Sequence, residues 1–220
     1  MSEEPIKIEK DFWPELYNDP YAVKRIERSL DLADIRPSHT VLDVGCHLGE
    51  LEVYMPLEAM YYGIDILNGV NIDGGFSLPK KFDRILCLEV LEHLQHPIGT
   101  LTSIAEHLAP DGLAVISLPN EATLFHRLRS LFGVIDAEAF QECGKHLHLA
   151  NLAQSETLLR RKFDILSRHS YISPQAVGSR QRWLGYLMRL LPDTLWQWLA
   201  DRWSSLFARG FIWVCQQKTS

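Results

Sequence analysis

The run VLDVGCHLGEL at residues 41–51 constrains the fold more than any other stretch of this chain. Thr40 to Val44 is a short, mostly apolar segment that ends on Gly45, which reads as a buried strand feeding a turn. The residues at 50–55 read as the helix that follows, so the run is the first strand–turn–helix unit of an α/β sheet. The alternation continues along the chain. Ahead of the run, Asp19 is placed to cap a helix with Pro20 at its first position, and Val23, Ile26, Leu30 and Ile35 recur at helical spacing. Behind it, short apolar strands are expected at 61–66, 70–72, 82–90, 112–119 and 163–172, with a last one in FIWVCQQK. Helices are expected at 98–108 and, opened by a capping box of Asn151 and Gln154, up to Arg161. The expectation is therefore a doubly wound, mostly parallel, seven-stranded α/β sheet.

Composition limits what such a chain does. At 220 residues with 46% hydrophobic and 23% charged, it is long enough for one sizeable core, and one domain over 1–220 is expected. Cys46, Cys87, Cys143 and Cys215 show no paired spacing, so neither a disulfide framework nor a zinc site is read from them, and a reducing cytoplasm fits best. The Cys143-x-x-His146-x-His148 spacing fits no closed metal site either, and no metal ligand is assigned. The acidic N-terminus lacks a leader pattern, and no apolar run is long enough to span a bilayer. The net charge of −6 is uneven: from Gly178 onward six Lys and Arg face two Asp and Glu, leaving −10 on residues 1–177. An acidic body argues against nucleic acid as the main ligand.

Gly45 and Gly49 bracket a loop that suits a nucleotide cofactor, and Asp65 lies 20 residues beyond Gly45 at the end of the second strand. A carboxylate there has two oxygens for the two hydroxyls of a ribose. The order VLDVGCHLG, YGIDI, LPKKFD, LEVLEHLQHP and LAPDGLAVISLPN resembles the class I S-adenosylmethionine-dependent methyltransferases, in their small-molecule branch. HLHLANLAQSETLLRRKFDI is similar to a stretch that many relatives carry after the fifth strand. The resemblance runs from about Ile35 to Phe163 and returns weakly in the last strand.

It implies a Rossmann-like fold, S-adenosyl-L-methionine as cofactor and S-adenosyl-L-homocysteine as product. Asp43 and Gly45 then face the methionyl part, Gly49 lets backbone approach at a helix N-terminus, and Asp65 holds the ribose. Asp73 matches the acid near the adenine amino group, and Leu88 and Glu89 match the floor of the cofactor site. Glu92 and His93 lie at the mouth where methyl group meets acceptor; His93 is the first choice of base and His146 the second. Asp43 and Asp65 also read as helix caps or surface acids, and His93 as a structural histidine bonded to a backbone carbonyl. Phe12, Trp13 and Tyr17 read as a lid over the cofactor or as plain packing.

Two features depart from the family pattern. His47 stands where a middle glycine is usual, at a cost of about 1 kcal/mol if φ is positive, with its imidazole free to donate to the cofactor's carboxylate. Between Asp65 and Asp73 too few residues remain for the helix that usually joins the second and third strands. Residues 178–209 carry Trp183, Trp196, Trp198 and Trp203, with leucines at helical steps on both sides of Pro192. They read as two amphipathic helices: a cap over the acceptor pocket, a peripheral membrane contact or a homodimer interface. A lipid contact favours a hydrophobic or lipid-linked acceptor.

The expected activity is methyl transfer to a small organic acceptor, most readily an oxygen. One rival is a nicotinamide-dependent oxidoreductase, which needs G-x-G-x-x-G where this chain has G-x-x-x-G. The other is a degenerate fold that binds a partner or membrane through 178–209.

Overall fold

A computed structural model describes residues 20–133, 146–172 and 192–218. Six strands share one sheet: β1 (Thr40–Val44), β2 (Met60–Ile64), β3 (Phe82–Leu88), β4 (Leu108–Pro119), β5 (Phe163–Tyr171) and β6 (Gly210–Gln217). Their order is β2-β1-β3-β4-β6-β5. The first four are parallel, while β6 lies antiparallel to both β4 and β5, so the sheet is mixed.

Side chains alternate across this sheet as the two-residue period requires. Val41, Leu86, Val115, Ile212 and Val214 face helix α1 (Pro20–Ala33), which answers with Val23, Ile26, Leu30 and Ala33 at three- and four-residue steps. Burying each of the three larger side chains is worth roughly 1.5–3 kcal/mol, which is what holds α1 on this face. Leu42, Val44, Ile85, Cys87, Ala114, Ile116, Phe211 and Trp213 point the other way. There they meet α2 (Pro97–His107), through Leu101 and Ile104, and the end of α4 (Leu152–Leu159), through Leu159. α3 (Leu124–Leu131) follows β4, and α5 (Asp193–Arg202) and α6 (Ser204–Phe207) precede β6.

The expected capping box is formed: Asn151 accepts from the Gln154 N–H at 3.0 Å, and the Gln154 side chain accepts from the Asn151 N–H at 3.0 Å. The Asp19 cap, the aromatic segment at 12–17, Cys143 and the first of the two tail helices lie outside the described residues. After Pro192 the tail forms α5, which buries Trp196 and Ala200 and leaves Trp198 exposed, and the short α6; Trp203, between the two, is also exposed and packs edge to face on Trp198 at 5.7 Å. No described helix is long and apolar enough to cross a membrane.

Two expectations are corrected. Six strands, not seven, form among the described residues, because Val70 and Ile72 pair with no strand. The Val70 N–H turns back to the Asp65 carbonyl at 3.0 Å, and the Ile72 carbonyl is taken by the Thr100 hydroxyl of α2 at 2.7 Å. The helix expected at 50–55 is a five-residue 3-10 helix, Glu50–Tyr54, and another 3-10 turn, Ile66–Asn68, follows β2. As expected from the short segment after Asp65, the return from β2 to β3 is made without an α-helix.

Candidate active site

β1 has β2 on one side and β3 on the other, so the chain reverses direction across the sheet at its C-terminal end. In open α/β sheets that switch point opens a crevice for ligands. Gly45 makes the junction tight. Its φ is +79°, its N–H donates to the Ile64 carbonyl at 2.8 Å, and a Cβ built on it would lie 2.5 Å from Val90 Cγ2. The loops after β1, β2 and β3 therefore converge on a residue that has to lack a side chain.

Asp43 projects beneath this loop, 3% exposed, and accepts a hydrogen bond from the Tyr61 hydroxyl at 2.7 Å. Burial pushes its carboxyl up to about 7 against the pull of that hydrogen bond, and the nearby Glu50 and Asp65 add to the rise. Asp65 stands at the end of β2. Its Oδ2 accepts from the His47 N–H at 3.1 Å and its Oδ1 from the Leu67 N–H at 2.9 Å, so its plane is fixed while each oxygen keeps a free lone pair.

His47 does occupy the left-handed region, at φ +53°. Its imidazole is 66% exposed and turns to Glu50, with Nδ1 2.6 Å from Oε1. The Leu48 N–H donates to the other Glu50 oxygen at 3.1 Å, and the N–H of Gly49, at φ +84°, donates to the Cys46 carbonyl at 2.8 Å. Gly49 therefore opens a 3-10 helix rather than an α-helix, and the N–H groups of His47, Leu48 and Gly49 ahead of it have acceptors within the fold.

The remaining expected cofactor residues are tied into the fold. Asp73 accepts from the backbone N–H groups of His96 at 2.7 Å and Gln95 at 3.1 Å, at the start of α2. Those bonds outweigh desolvation and hold its carboxyl below the ordinary range. Leu88, half-buried at the end of β3, packs against the α1-side core. Glu89, at φ +57°, accepts from the Ser117 hydroxyl and the Tyr171 hydroxyl, each at 3.1 Å, and lies 3.5 Å from the Arg25 guanidinium.

The two histidines expected to handle protons come together. Their rings meet edge to face at 4.9 Å between centroids, His93 on a 3-10 turn (Leu91–His93) after β3 and His146 on the segment leading to α4. That segment is anchored by the N–H groups of Leu147 and His148, which donate to the Glu92 carbonyl at 2.7 and 3.1 Å. His146 Nδ1 lies 2.7 Å from Glu121 Oε1, and this bond holds the Glu121 carboxyl below the ordinary range. Glu92 is 2% exposed; burial first, then the neighbouring Glu89 carboxylate, push its carboxyl far above the ordinary range.

A glycine turn at the switch point, acids at two adjacent strand ends and an imidazole pair beyond the third strand frame one crevice. Residues 17–162 match the family described as a methyltransferase domain. The chain belongs to that family. Among curated relatives, the ubiquinone biosynthesis O-methyltransferase of Dechloromonas aromatica is 30% identical over 142 residues, covering 54% of this chain and 58% of the relative. The mitochondrial enzyme of the same name from Schizosaccharomyces pombe is 40% identical over 114 residues, 41% of each chain. This chain spans about half the length of the curated relatives it matches. Among solved structures, the N-methyltransferase NodS of Bradyrhizobium japonicum has a TM-score of 0.53 at 14% identity, covering 92% of this chain and 99% of that one. An S-adenosylmethionine-dependent methyltransferase of Clostridium acetobutylicum has a TM-score of 0.51 at 10% identity, covering 96% and 93%. At such identities the two structures show the shared Rossmann-like fold.

Two groups of this methyltransferase domain escape sequence reasoning. Tyr61 reaches Asp43 only because β2 lies beside β1, with Asp43 in register with Gly63. Glu121 follows the last residues of β4, and its position at a parallel strand's C-terminal end is the one signal that could have singled it out.

Proposed function

We propose that this chain is an S-adenosyl-L-methionine-dependent methyltransferase that methylates an oxygen of a small organic acceptor, releasing S-adenosyl-L-homocysteine. The observation that carries the reading is the placement of Asp43 on β1 and Asp65 just past the end of the adjacent parallel strand β2, around the Gly45 turn, with His93 and His146 beyond β3. In this reading Asp43 meets the cofactor's ammonium end and Asp65 the ribose hydroxyls. Gly45 keeps the loop clear, and Gly49, His47 and Leu88 border the site. Asp73 and Glu89 serve by holding the surrounding loops, through the bonds described above.

The reaction is an in-line displacement. The acceptor oxygen forms a bond to the methyl carbon as the carbon–sulfur bond breaks, and the sulfonium leaves as a neutral thioether. The protein's main task is alignment. The hydroxyl proton passes to an imidazole; His146 suits this because Glu121 fixes its Nδ1, leaving Nε2 to accept. The names of the relatives favour an oxygen acceptor. Residues 1–220 act as one domain in this reading, with 178–209 as a cap. Exposed Trp198 and Trp203 favour a hydrophobic or lipid-linked acceptor delivered at a membrane surface.

The test is transfer of labelled methyl groups from S-adenosylmethionine to a panel of phenols, aliphatic alcohols and amines, each with and without a long apolar chain. Methylated hydroxyls, with apolar chains preferred, are expected. Transfer to amines alone would contradict the oxygen assignment, and a folded chain that binds no cofactor would favour the non-enzymatic reading.

A further inference from the structure

Asp43 has to be an anion to hold an ammonium group, yet it is 3% exposed and shares its surroundings with two more acids, Glu50 on the 3-10 helix and Asp65 past β2. Burial and those two carboxylates all favour its protonated form. Among the described residues no Lys, Arg or His pairs with Asp43, and the Tyr61 hydroxyl, 2.7 Å from Oδ2, is its one side-chain hydrogen-bond donor. We infer that Tyr61 is a positioning residue of the cofactor site: its hydroxyl keeps Asp43 ionised near neutral pH and ties down one carboxylate oxygen, so that the other meets the cofactor's ammonium group.

The backbone builds this contact. Val41 pairs with Tyr61 and Asp43 with Gly63, so Tyr61 stands on the same face as Asp43, two residues before the position directly opposite it. Gly63 leaves the gap through which the hydroxyl reaches across. A Cβ there would lie 3.3 Å from the Tyr61 hydroxyl oxygen and 2.6 Å from Cys46 Sγ. The Tyr61 ring packs with the α1-side core, which fixes its direction, and a Cβ on Gly49 would stand 3.9 Å from its Cε1, so the ring also underlies the loop after β1. Burial first, then the facing Asp43 carboxylate, push the Tyr61 phenol well above its ordinary value, so it stays a donor through the neutral range. The Asp43 carboxyl stands at about 7 with this hydrogen bond in place; without it, the same burial carries it higher. The Cys46 and Cys87 thiols also feel the Asp43 charge, but burial raises both and they stay neutral. The purpose given to Tyr61 rests on the methyltransferase reading; its effect on the Asp43 carboxyl does not.

The test compares the full chain with its Tyr61→Phe variant, which loses one oxygen and keeps the ring, with folding checked by circular dichroism. The carbon-13 carboxyl signal of Asp43, identified by its absence in Asp43→Asn, is followed by nuclear magnetic resonance from about pH 5 to about pH 9. S-adenosylhomocysteine binding is titrated by calorimetry at about pH 7 and about pH 9. The Asp43 midpoint is expected to rise by about one pH unit in Tyr61→Phe, with affinity about fivefold lower at the first pH and within about twofold of wild type at the second. An unmoved midpoint would overturn the inference. So would an affinity change, zero included, that is the same at both pH values, which is what a merely structural role produces. Wild type that binds S-adenosylhomocysteine while the midpoint stays unmoved sinks the role of Tyr61 alone. Folded wild type that binds none at either pH sinks the methyltransferase reading and, with it, the cofactor role given to Tyr61.

Discussion

Asp43 shows how a single residue ties stability to function. Its carboxyl is raised from 3.8 to about 7, so between those values the folded chain holds a proton that the unfolded chain has released. The resulting penalty is absent below the window, grows as pH rises through it and is complete above about 7. Asp43→Asn keeps an acceptor for the Tyr61 hydroxyl and removes the charge. It is expected to raise Tm at pH 8 and leave it unchanged near pH 4, while abolishing cofactor binding; thermal melts at both pH values check this. Gly45→Ala is expected to do the reverse of stabilise. A methyl group pressed on Val90 at φ +79° costs about 1–3 kcal/mol, read as a fall of several degrees in Tm. Both residues were legible in the sequence, because a strand's end and a glycine after it are local signals. The left-handed φ of His47 was legible for the same reason. Its pairing with Glu50 was not, since either the loop's own carboxylate or a bound one satisfies the same donors.

At the scale of elements, the segment between β2 and β3 departs furthest from expectation. Val70 and Ile72 have strand-like composition, but Gly69, Gly74 and Gly75 all take positive φ, and a Cβ on Gly99 of α2 would collide with the Gly74 carbonyl. The segment is laid against the first turns of α2 rather than zipped to a sheet edge, and only tertiary packing decides that. Asp73 is the clasp. Asp73→Ala removes the acceptor of two N–H groups at the start of α2 and is expected to cost about 1 kcal/mol, by analogy with losing a helix cap. If its work is structural, urea unfolding shifts while S-adenosylhomocysteine affinity changes little; a tenfold loss of affinity at unchanged stability would instead support the adenine contact. Since its carboxyl is held low, the contribution is present above the ordinary value of 3.8 and lost as pH falls below it. The capped helix α4 was legible because Asn151 and Gln154 need nothing beyond their own turn.

Over the whole molecule, one sheet brings together residues as far apart as Asp43 and His146, and the site is built from the ends of all four parallel strands. Their order follows from the alternation of strands and helices, so the crevice was foreseeable from VLDVG, YGID and LEVLEH. The Glu92–His93–His146–Glu121 cluster was legible only in part, because it needs the segment after β4 to fold back onto the turn after β3. The central claim is that the crevice at the switch point holds the cofactor. The most direct test is calorimetric titration of the chain with S-adenosylhomocysteine, beside Asp65→Ala. Micromolar binding at about one site per chain, lost by at least about 100-fold in the variant, is the predicted result. A folded chain that does not bind, or an Asp65→Ala variant that binds as well as wild type, would contradict it.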